Sequence, residues 1–242
     1  MRTVFASLAL FSLAGFSAAV QTCVNGGGIV GECISTSDCS SNGGSSQAGY
    51  CPGDASIQCC TWSSDSCSGQ CMPNLGCGGS SVTGQCPGGA EVQCCQNNPG
   101  VLSGYNALQT AHAYQIGKAV SAMGLPRQAC LAAITTGITE ATLLNYANSD
   151  VDASYNYLYD AVSSDYDSVG VFQQRVSYYP DLDSDMDPQA AASAFLQKMV
   201  NVDGWETMDV GELCQTVQGS AFPDRYNDNV GAAEDICSAI GF

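Results

Sequence analysis

The sequence predicts a mainly α-helical domain that follows two small disulfide-rich repeats. The prediction depends on three features: a dense cluster of cysteines, a cysteine motif that occurs twice within it, and helical periodicity after it. The cluster runs from Cys23 to Cys95 and holds 12 of the chain's 15 cysteines. From residue 101 onward, apolar residues recur at spacings of three and four, which is the pattern of amphipathic helices.

The charge balance excludes several classes of partner. The chain has 242 residues, with 6 Lys plus Arg against 23 Asp plus Glu, and a net charge of −17. Nucleic acids and anionic membranes are bound through clustered cations, so neither is expected as a partner. Because 45% of the residues are hydrophobic and only 12% are charged, we expect a folded protein. We expect it to be monomeric and to need no cofactor.

The N-terminus has the pattern of a secretory signal peptide, assigned to residues 1–20. A short basic start is followed by an apolar run from Val4 to Phe16 and then by Ser17-Ala18-Ala19, a small-residue cleavage site. The apolar run is too short to span a bilayer comfortably. The mature chain is therefore expected to begin near Val20 or Gln21 and to be secreted and extracellular, where disulfides form.

The cysteine cluster divides into two modules, residues 21–61 (repeat 1) and residues 62–96 (repeat 2). The motif C-P-G-x4-Q-C-C ends both, at Cys51–Cys60 and at Cys86–Cys95. Six cysteines per repeat allow three disulfides each, but the sequence does not choose among the 15 connectivities. A zinc site is disfavoured because the closing cysteines are adjacent and no histidine is near.

Such disulfide-bonded repeats, which here contain no Lys or Arg, are typical of binding or anchoring units, and we interpret them as cell-wall or polysaccharide-binding modules. Tyr50, Trp62 and Met72 would form a sugar-stacking face. The alternative is that the two aromatic rings cap very small cores. Residues 97–102, with Asn98-Pro99-Gly100, have the turn chemistry of a short linker.

The second domain, residues 103–242, has the signals of at least five helices. Pro126 and Asp187-Pro188 suit helix starts. A short hairpin within 154–172 is the strand feature that we consider. Cys214 and Cys237 are candidates for a bridge between the last two helices, which would leave Cys130 as a buried thiol. The predicted helices cover residues 102–123, 127–140, 187–199, 210–217 and 232–240.

Glu140 is the main candidate for chemistry. It is the one acid between Glu91 and Asp150 and ends a helix of small and apolar residues. A poorly solvated carboxyl group has a raised pKa, which suits a general acid that works near neutrality. The alternative is a glutamate in an ordinary salt bridge, which the scarcity of cations weakens.

A second candidate segment runs from Asp165 through Asp167 to Gln173, Gln174 and Arg175. Tyrosines are concentrated around it, including Tyr178. Two carboxylates beside rings and amides suit glycoside hydrolysis, in which one carboxylic acid protonates the glycosidic oxygen. The second carboxylate, or the substrate itself, then stabilises the developing positive charge.

These segments resemble known muramidases. Glu140, Ala147-Asn148-Ser149 and Gly170-Val171-Phe172-Gln173 look like the signature of goose-type lysozymes and soluble lytic transglycosylases. The D-x-D-S-x-G-x-F-Q-Q-R segment from Asp165, and the segment from Gln218 to Tyr226, are similar to a newer family of secreted fungal muramidases.

The resemblance implies a lysozyme-like α fold and cleavage of bacterial peptidoglycan between N-acetylmuramic acid and N-acetylglucosamine. It implies Glu140 as the catalytic acid and Asp165 or Asp167 as the second carboxylate. Four residues are expected to bind glycan: Gln173, Gln174, Tyr178 and Tyr226. Two alternatives remain open: a lytic transglycosylase that uses the glutamate alone, and a non-catalytic wall-binding defence protein.

Two other patterns are interpreted as structural. His112, the single histidine, lies in a helix and lacks a nucleophile motif such as G-x-S-x-G. The acids from Asp181 to Asp187 alternate as in a calcium loop, but Met186 and Ala192 stand where glycine and glutamate are required. No metal is therefore expected.

Overall fold

The computed structural model describes residues 20–242, so the predicted signal peptide lies outside the described residues except for Val20. The fold is mixed, with 39% helix, 18% strand and several small sheets, and the prediction of a mainly α protein is wrong. The strands could not be recognised from the sequence pattern because they are only two to six residues long. Cysteine and glycine also interrupt the alternation of apolar and polar residues in them.

Each repeat is built around a small antiparallel sheet. Repeat 1 has the strand order β1-β2-β4-β3, and repeat 2 has the order β5-β7-β6. Repeat 1 consists of β1 (Thr22–Val24), β2 (Val30–Ser35), α1 (Thr36–Ser41), β3 (Ser45–Gln47) and β4 (Ile57–Thr61). Repeat 2 consists of β5 (Gln70–Pro73), a 3-10 turn (Asn74–Gly76), β6 (Ser80–Val82) and β7 (Val92–Gln96).

Disulfides hold both repeats together with the same connectivity. In each repeat, the first cysteine pairs with the fifth, the second with the fourth and the third with the sixth. The bonds in repeat 1 are Cys23–Cys59, Cys33–Cys51 and Cys39–Cys60. Those in repeat 2 are Cys67–Cys94, Cys71–Cys86 and Cys77–Cys95. This bonding is consistent with an extracellular protein.

The part after residue 100 contains the five predicted helices together with short strands. The first of these helices begins later than predicted, because Asn106 caps it in a capping box with Gln109. The elements are α2 (Ala107–Ala122), α3 (Arg127–Ala141), β8 (Tyr146–Asn148), a 3-10 turn (Asp152–Asn156), β9 (Ala161–Ser163), β10 (Ser168–Val169), β11 (Gln174–Arg175), α4 (Leu182–Asp185), α5 (Pro188–Met199), α6 (Val210–Gln218), a 3-10 turn (Pro223–Asn229) and α7 (Val230–Ala239). Strands β8 and β9 are parallel, and β10 and β11 form an antiparallel hairpin.

Helix α3 lies at the centre of the larger core. It is buried along most of its length, as its apolar sequence predicts, and it packs against α2, α5, α6 and α7. A disulfide joins Cys130 of α3 to Cys237 of α7. The predicted Cys214–Cys237 bridge is therefore wrong, and Cys214 is the one cysteine in residues 20–242 that has no disulfide.

The repeats pack directly on the helical part. Val30 and Met72 from the repeats share a buried cluster with Leu108 of α2. The Thr22 hydroxyl donates a hydrogen bond of 2.5 Å to Oδ1 of Asp160. Residues on the two sides of the predicted linker therefore share a core.

The predicted sugar-stacking face is not formed as a unit. Trp62 is 5% exposed and Met72 is 1% exposed, so both side chains pack inside the repeats. Tyr50 alone of the three is exposed. None of the helices in residues 20–242 combines the length and the hydropathy that crossing a bilayer requires.

A buried carboxyl group in α4 should make the stability of the fold depend on pH. Asp185 is 2% exposed, and its Oδ2 has no hydrogen-bond partner among residues 20–242. Burial, with a contribution from the charge of Asp181, raises the pKa of Asp185 from 3.8 to about 7.

Between pH 4 and pH 7, the folded state therefore keeps a proton at Asp185 that the unfolded state has lost. We expect the free energy of unfolding to fall as the pH rises through this range, by at most about 1.4 kcal/mol per pH unit. Asp185→Asn should flatten this slope in denaturant titrations, and Asp203→Asn on the surface should not. An unchanged slope in Asp185→Asn would contradict the assignment.

Candidate active site

Glu140 lies in the last turn of α3, where the buried helix reaches the surface. The helix ends at Ala141, and both Thr142 and Leu143 have positive φ, at 50° and 60°. This left-handed turn reverses the chain, and Leu143 is fully buried below it. The Glu140 side chain is left half-buried.

Two side chains from the C-terminal segment hold the Glu140 carboxyl group. The hydroxyl of Tyr226 donates a hydrogen bond to Oε1 of Glu140, and the side chain of Gln218 lies close enough to the same carboxyl group to lower its pKa. Gln218 is fixed in turn, because its Nε2 donates to the carbonyl of Phe172 at 3.0 Å. Tyr226 is fully buried, so its ring cannot move away without opening the core.

Burial is the largest influence on the pKa of Glu140 and raises it above its ordinary value of 4.5. The hydrogen bond from Tyr226, the nearby amide of Gln218 and the charge of Arg225 oppose this rise but do not cancel it. Burial and the neighbouring Glu140 also raise the pKa of Tyr226, so this hydroxyl remains a donor. The arrangement can hold a proton at Glu140 and deliver it to a bound ligand.

The two predicted second carboxylates have different surroundings. Asp167 accepts hydrogen bonds from the amide of Ser177 at 2.7 Å and from Nε of Arg175 at 2.5 Å. Ser177, through its side chain and amide, and then Arg175 hold the pKa of Asp167 well below its usual range. Asp165 is exposed, and its charge contributes to the raised pKa of Glu140. Asp165 is therefore the one of the two whose charge acts on Glu140, while Asp167 is part of the β10–β11 hairpin.

Two exposed tyrosine rings, those of Tyr166 and Tyr178, contact the guanidinium group of Arg175. The guanidinium carbon of Arg175 lies 4.8 Å from the ring centre of Tyr166 and 5.4 Å from that of Tyr178. These rings are 71% and 74% exposed. Cation–π contacts with Arg175, itself fixed by Asp167, hold them in place.

The four predicted glycan-binding residues are placed very differently. Tyr178 is exposed, whereas Tyr226 is buried and contacts Glu140. Gln173 is half-buried in the left-handed region at φ 46°, and its Nε2 donates to the carbonyl of Gly170 at 2.9 Å. Gln174 is 4% exposed, within β11.

Gly170 allows this segment to approach α4 closely. Its φ is +75°, and a Cβ atom at this position would lie 2.1 Å from the carbonyl oxygen of Asp185. Any other residue would therefore displace the segment that carries Gln173. Asn145 contributes to the same packing by donating to the carbonyl of Met186 at 2.9 Å.

Gln218 is the site residue that the sequence reasoning did not identify as functional. It lies in the segment from Gln218 to Tyr226, but its contact with Glu140 depends on how α6 packs on α3. Cys214 of α6 is also near this site, and burial raises the pKa of its thiol to about 12. A thiol with so high a pKa stays protonated and is a poor nucleophile at neutral pH.

His112 has a structural role. It is fully buried, and its Nδ1 lies 2.7 Å from the carbonyl oxygen of Leu143 and 3.5 Å from Oδ2 of Asp160. Among residues 20–242, two groups of residues are close enough to hold a metal ion, but all of their members are disulfide-bonded cysteines. These groups are Cys23, Cys33 and Cys51, and Cys67, Cys71 and Cys86.

Comparison with protein-family models gives no match for this chain, and a search of curated proteins gives none either.

Tyr226→Phe tests how the site sets the pKa of Glu140. The hydrogen bond from Tyr226 favours the ionised carboxyl group, so its loss should raise the pKa of Glu140 further. If Glu140 acts as a general acid, the alkaline limb of the pH–activity profile should move to higher pH. We also expect activity at the optimum to fall about tenfold, which corresponds to about 1.4 kcal/mol.

Tyr157→Phe is the matched control, because the Tyr157 hydroxyl donates to Asp183 and not to Glu140. It should leave the pH–activity profile unchanged. A Tyr226→Phe profile that coincides with the wild-type profile, or moves to lower pH, would contradict the prediction.

Proposed function

We propose that this protein is a secreted muramidase that cleaves the β-1,4 bond between N-acetylmuramic acid and N-acetylglucosamine in peptidoglycan. The observation that carries the proposal is the environment of Glu140. Its carboxyl group is half-buried, has a raised pKa, and accepts a hydrogen bond from Tyr226, with the side chain of Gln218 beside it. A general acid for glycosidic bond cleavage is a carboxyl group with a raised pKa that is fixed in direction.

In the proposed reaction, Glu140 donates its proton to the glycosidic oxygen as the bond to the sugar C1 breaks. Positive charge develops at C1 and the ring oxygen, and the charge of Asp165 stabilises it. Water then adds to C1, and the proton that it loses passes to a carboxylate of the site. We assign the second carboxylate to Asp165, because Asp167 is already paired with Arg175.

The exposed rings of Tyr166 and Tyr178 are proposed to stack on the apolar faces of the glycan. They follow Asp165 on the same segment and are held by Arg175. Gln173, half-buried beside Gly170, is proposed to bind a polar group of the sugar. Gln174 is buried, and we assign it to the support of the hairpin.

The repeats are proposed to bind the cell wall. The chain carries a net charge of −17, so long-range attraction does not draw it to an anionic bacterial surface. Short-range contacts must supply the affinity, and the exposed Tyr50 of repeat 1 is a candidate for one of them.

Mass spectrometry of the products released from purified peptidoglycan tests the proposal. A muramidase should release fragments with a hydrated, reducing N-acetylmuramic acid end. Release of 1,6-anhydro ends would identify a lytic transglycosylase, which uses a single glutamate. Binding to peptidoglycan without the release of fragments would identify a non-catalytic wall-binding protein and overturn the assignment of an enzyme.

A further inference from the structure

The first strand of repeat 1 is joined to the segment that leads to Asp165. The backbone amide of Thr22 in β1 donates to the carbonyl of Tyr159 at 2.7 Å, and its hydroxyl donates to Oδ1 of Asp160. Asp165, the proposed second carboxylate, follows Asp160 by five residues. Repeat 1 therefore holds the chain just before it enters the candidate active site.

Asp160 is a buried carboxylate that links repeat 1 to the helical part. It is 8% exposed, and its Oδ2 accepts a hydrogen bond from the amide of Asn145 at 2.8 Å. Nδ1 of His112 lies 3.5 Å from this Oδ2 but only 2.7 Å from the carbonyl oxygen of Leu143. Among residues 20–242, the hydroxyl of Thr22 is the hydrogen-bond donor to Oδ1. Loss of this hydroxyl would leave one oxygen of a buried carboxylate unpaired, which is costly.

Hydrogen bonds extend this attachment from Asp160 to Asp165. The amide of Asp160 donates to the carbonyl of Asn145 at 2.7 Å, and β9, which begins at the next residue, pairs in parallel with β8. Asn148 at the end of β8 is fully buried. Its Nδ2 donates to the backbone carbonyls of Asp165 and Ser168, at 3.3 and 2.9 Å. The backbone of Asp165 thus belongs to a hydrogen-bonded network that extends into repeat 1.

We propose that Thr22 is a positioning residue for the candidate active site, because its hydroxyl, through Asp160, fixes the segment that carries Asp165. Repeat 1 then has a second role besides the proposed binding of the wall, since it supports the site itself. The inference rests on the proposed muramidase activity and on the assignment of Asp165 as the second carboxylate.

Thr22→Val removes the hydroxyl with little change in shape and tests the proposal. Burial is the main cause of the raised pKa of Glu140, while the charge of Arg225 opposes the rise and that of Asp165 adds to it. If Asp165 is displaced, this pKa should fall, so the alkaline limb of the pH–activity profile should move to lower pH. On a soluble tetrasaccharide of peptidoglycan, we expect kcat to fall about tenfold with little change in KM.

Three further variants separate positioning from a general loss of stability. Thr22→Ser keeps the hydroxyl and should restore both kcat and the pH–activity profile. Thr22→Ala lacks the hydroxyl but places no methyl group against the carboxylate, so it should show the same effect even if Thr22→Val folds poorly. Thr61→Val removes a hydrogen bond to the carbonyl of Ser45 within the same sheet and should leave the profile unchanged.

Hydrogen–deuterium exchange gives a measurement that does not depend on activity. The amide of Ser168 donates to the carbonyl of Asp165 at 3.1 Å, and in Thr22→Val it should exchange about tenfold faster than in Thr61→Val. If the wild type cleaves no glycan, the muramidase proposal fails, while faster exchange would still show that Thr22 fixes this segment. Exchange at the wild-type rate in Thr22→Val, or an unmoved pH–activity profile in that variant, would overturn the inference.

Discussion

Glu140→Gln should reduce the lysis of bacterial walls by about 10²- to 10⁴-fold, which is the usual contribution of a general acid. Glutamine has nearly the same shape as protonated glutamate, and its amide oxygen can still accept the hydrogen bond from Tyr226. The substitution therefore removes the transferable proton and leaves the surroundings of the site in place. Turbidity of a cell-wall suspension measures the rate.

Glu206→Gln provides the matched control for this substitution. Glu206 is an exposed glutamate in the turn before α6, and its replacement should leave lysis unchanged. The melting temperature of Glu140→Gln should equal or exceed that of the wild type, since a partly buried ionisable group becomes neutral. Lysis by Glu140→Gln at the wild-type rate would remove Glu140 from the mechanism.

Removal of the Cys130–Cys237 disulfide should lower the free energy of unfolding by roughly 4 to 5 kcal/mol. The bond spans 107 residues of sequence, and loops of this length lose the most chain entropy when they are closed in the unfolded state. It also joins the central helix α3 to α7 at the end of the chain. The double variant Cys130→Ala/Cys237→Ala, unfolded by denaturant, measures the loss.

Cys214→Ala separates the cross-link from the effect of losing buried sulfur. Cys214 is buried but forms no disulfide, so its replacement should cost about 1 kcal/mol through lost packing alone. A double variant that loses no more stability than this control would contradict the expected role of the disulfide.

The helices could be predicted from the sequence because their signals are local. Pro188 after Asp187 starts α5 with a side-chain cap, as expected, and the apolar surface of α3 marks it as buried. The strands could not be predicted in this way, since β10 and β11 have two residues each. Their pairing depends on a turn and on contacts between residues distant in sequence.

The candidate site was predictable only in part, for the same reason. Glu140 stands out in the sequence because it is an isolated acid at the end of an apolar helix. The burial of Tyr226, and the contact of Gln218 with Glu140, depend on how α6 and the C-terminal segment pack on α3. The choice between Asp165 and Asp167 likewise depends on where Arg175 lies.

The cluster that Val30, Met72 and Leu108 share has a consequence for any ligand that the repeats bind. A module on a flexible tether samples many positions, and its effective concentration at a second site depends on the length of the tether. Here the separation between a ligand on repeat 1 and Glu140 is fixed by packing. Binding of one polymer at both repeat 1 and the Glu140 site then costs no entropy from ordering a flexible tether. It does, however, select polymers whose repeating units match this one separation.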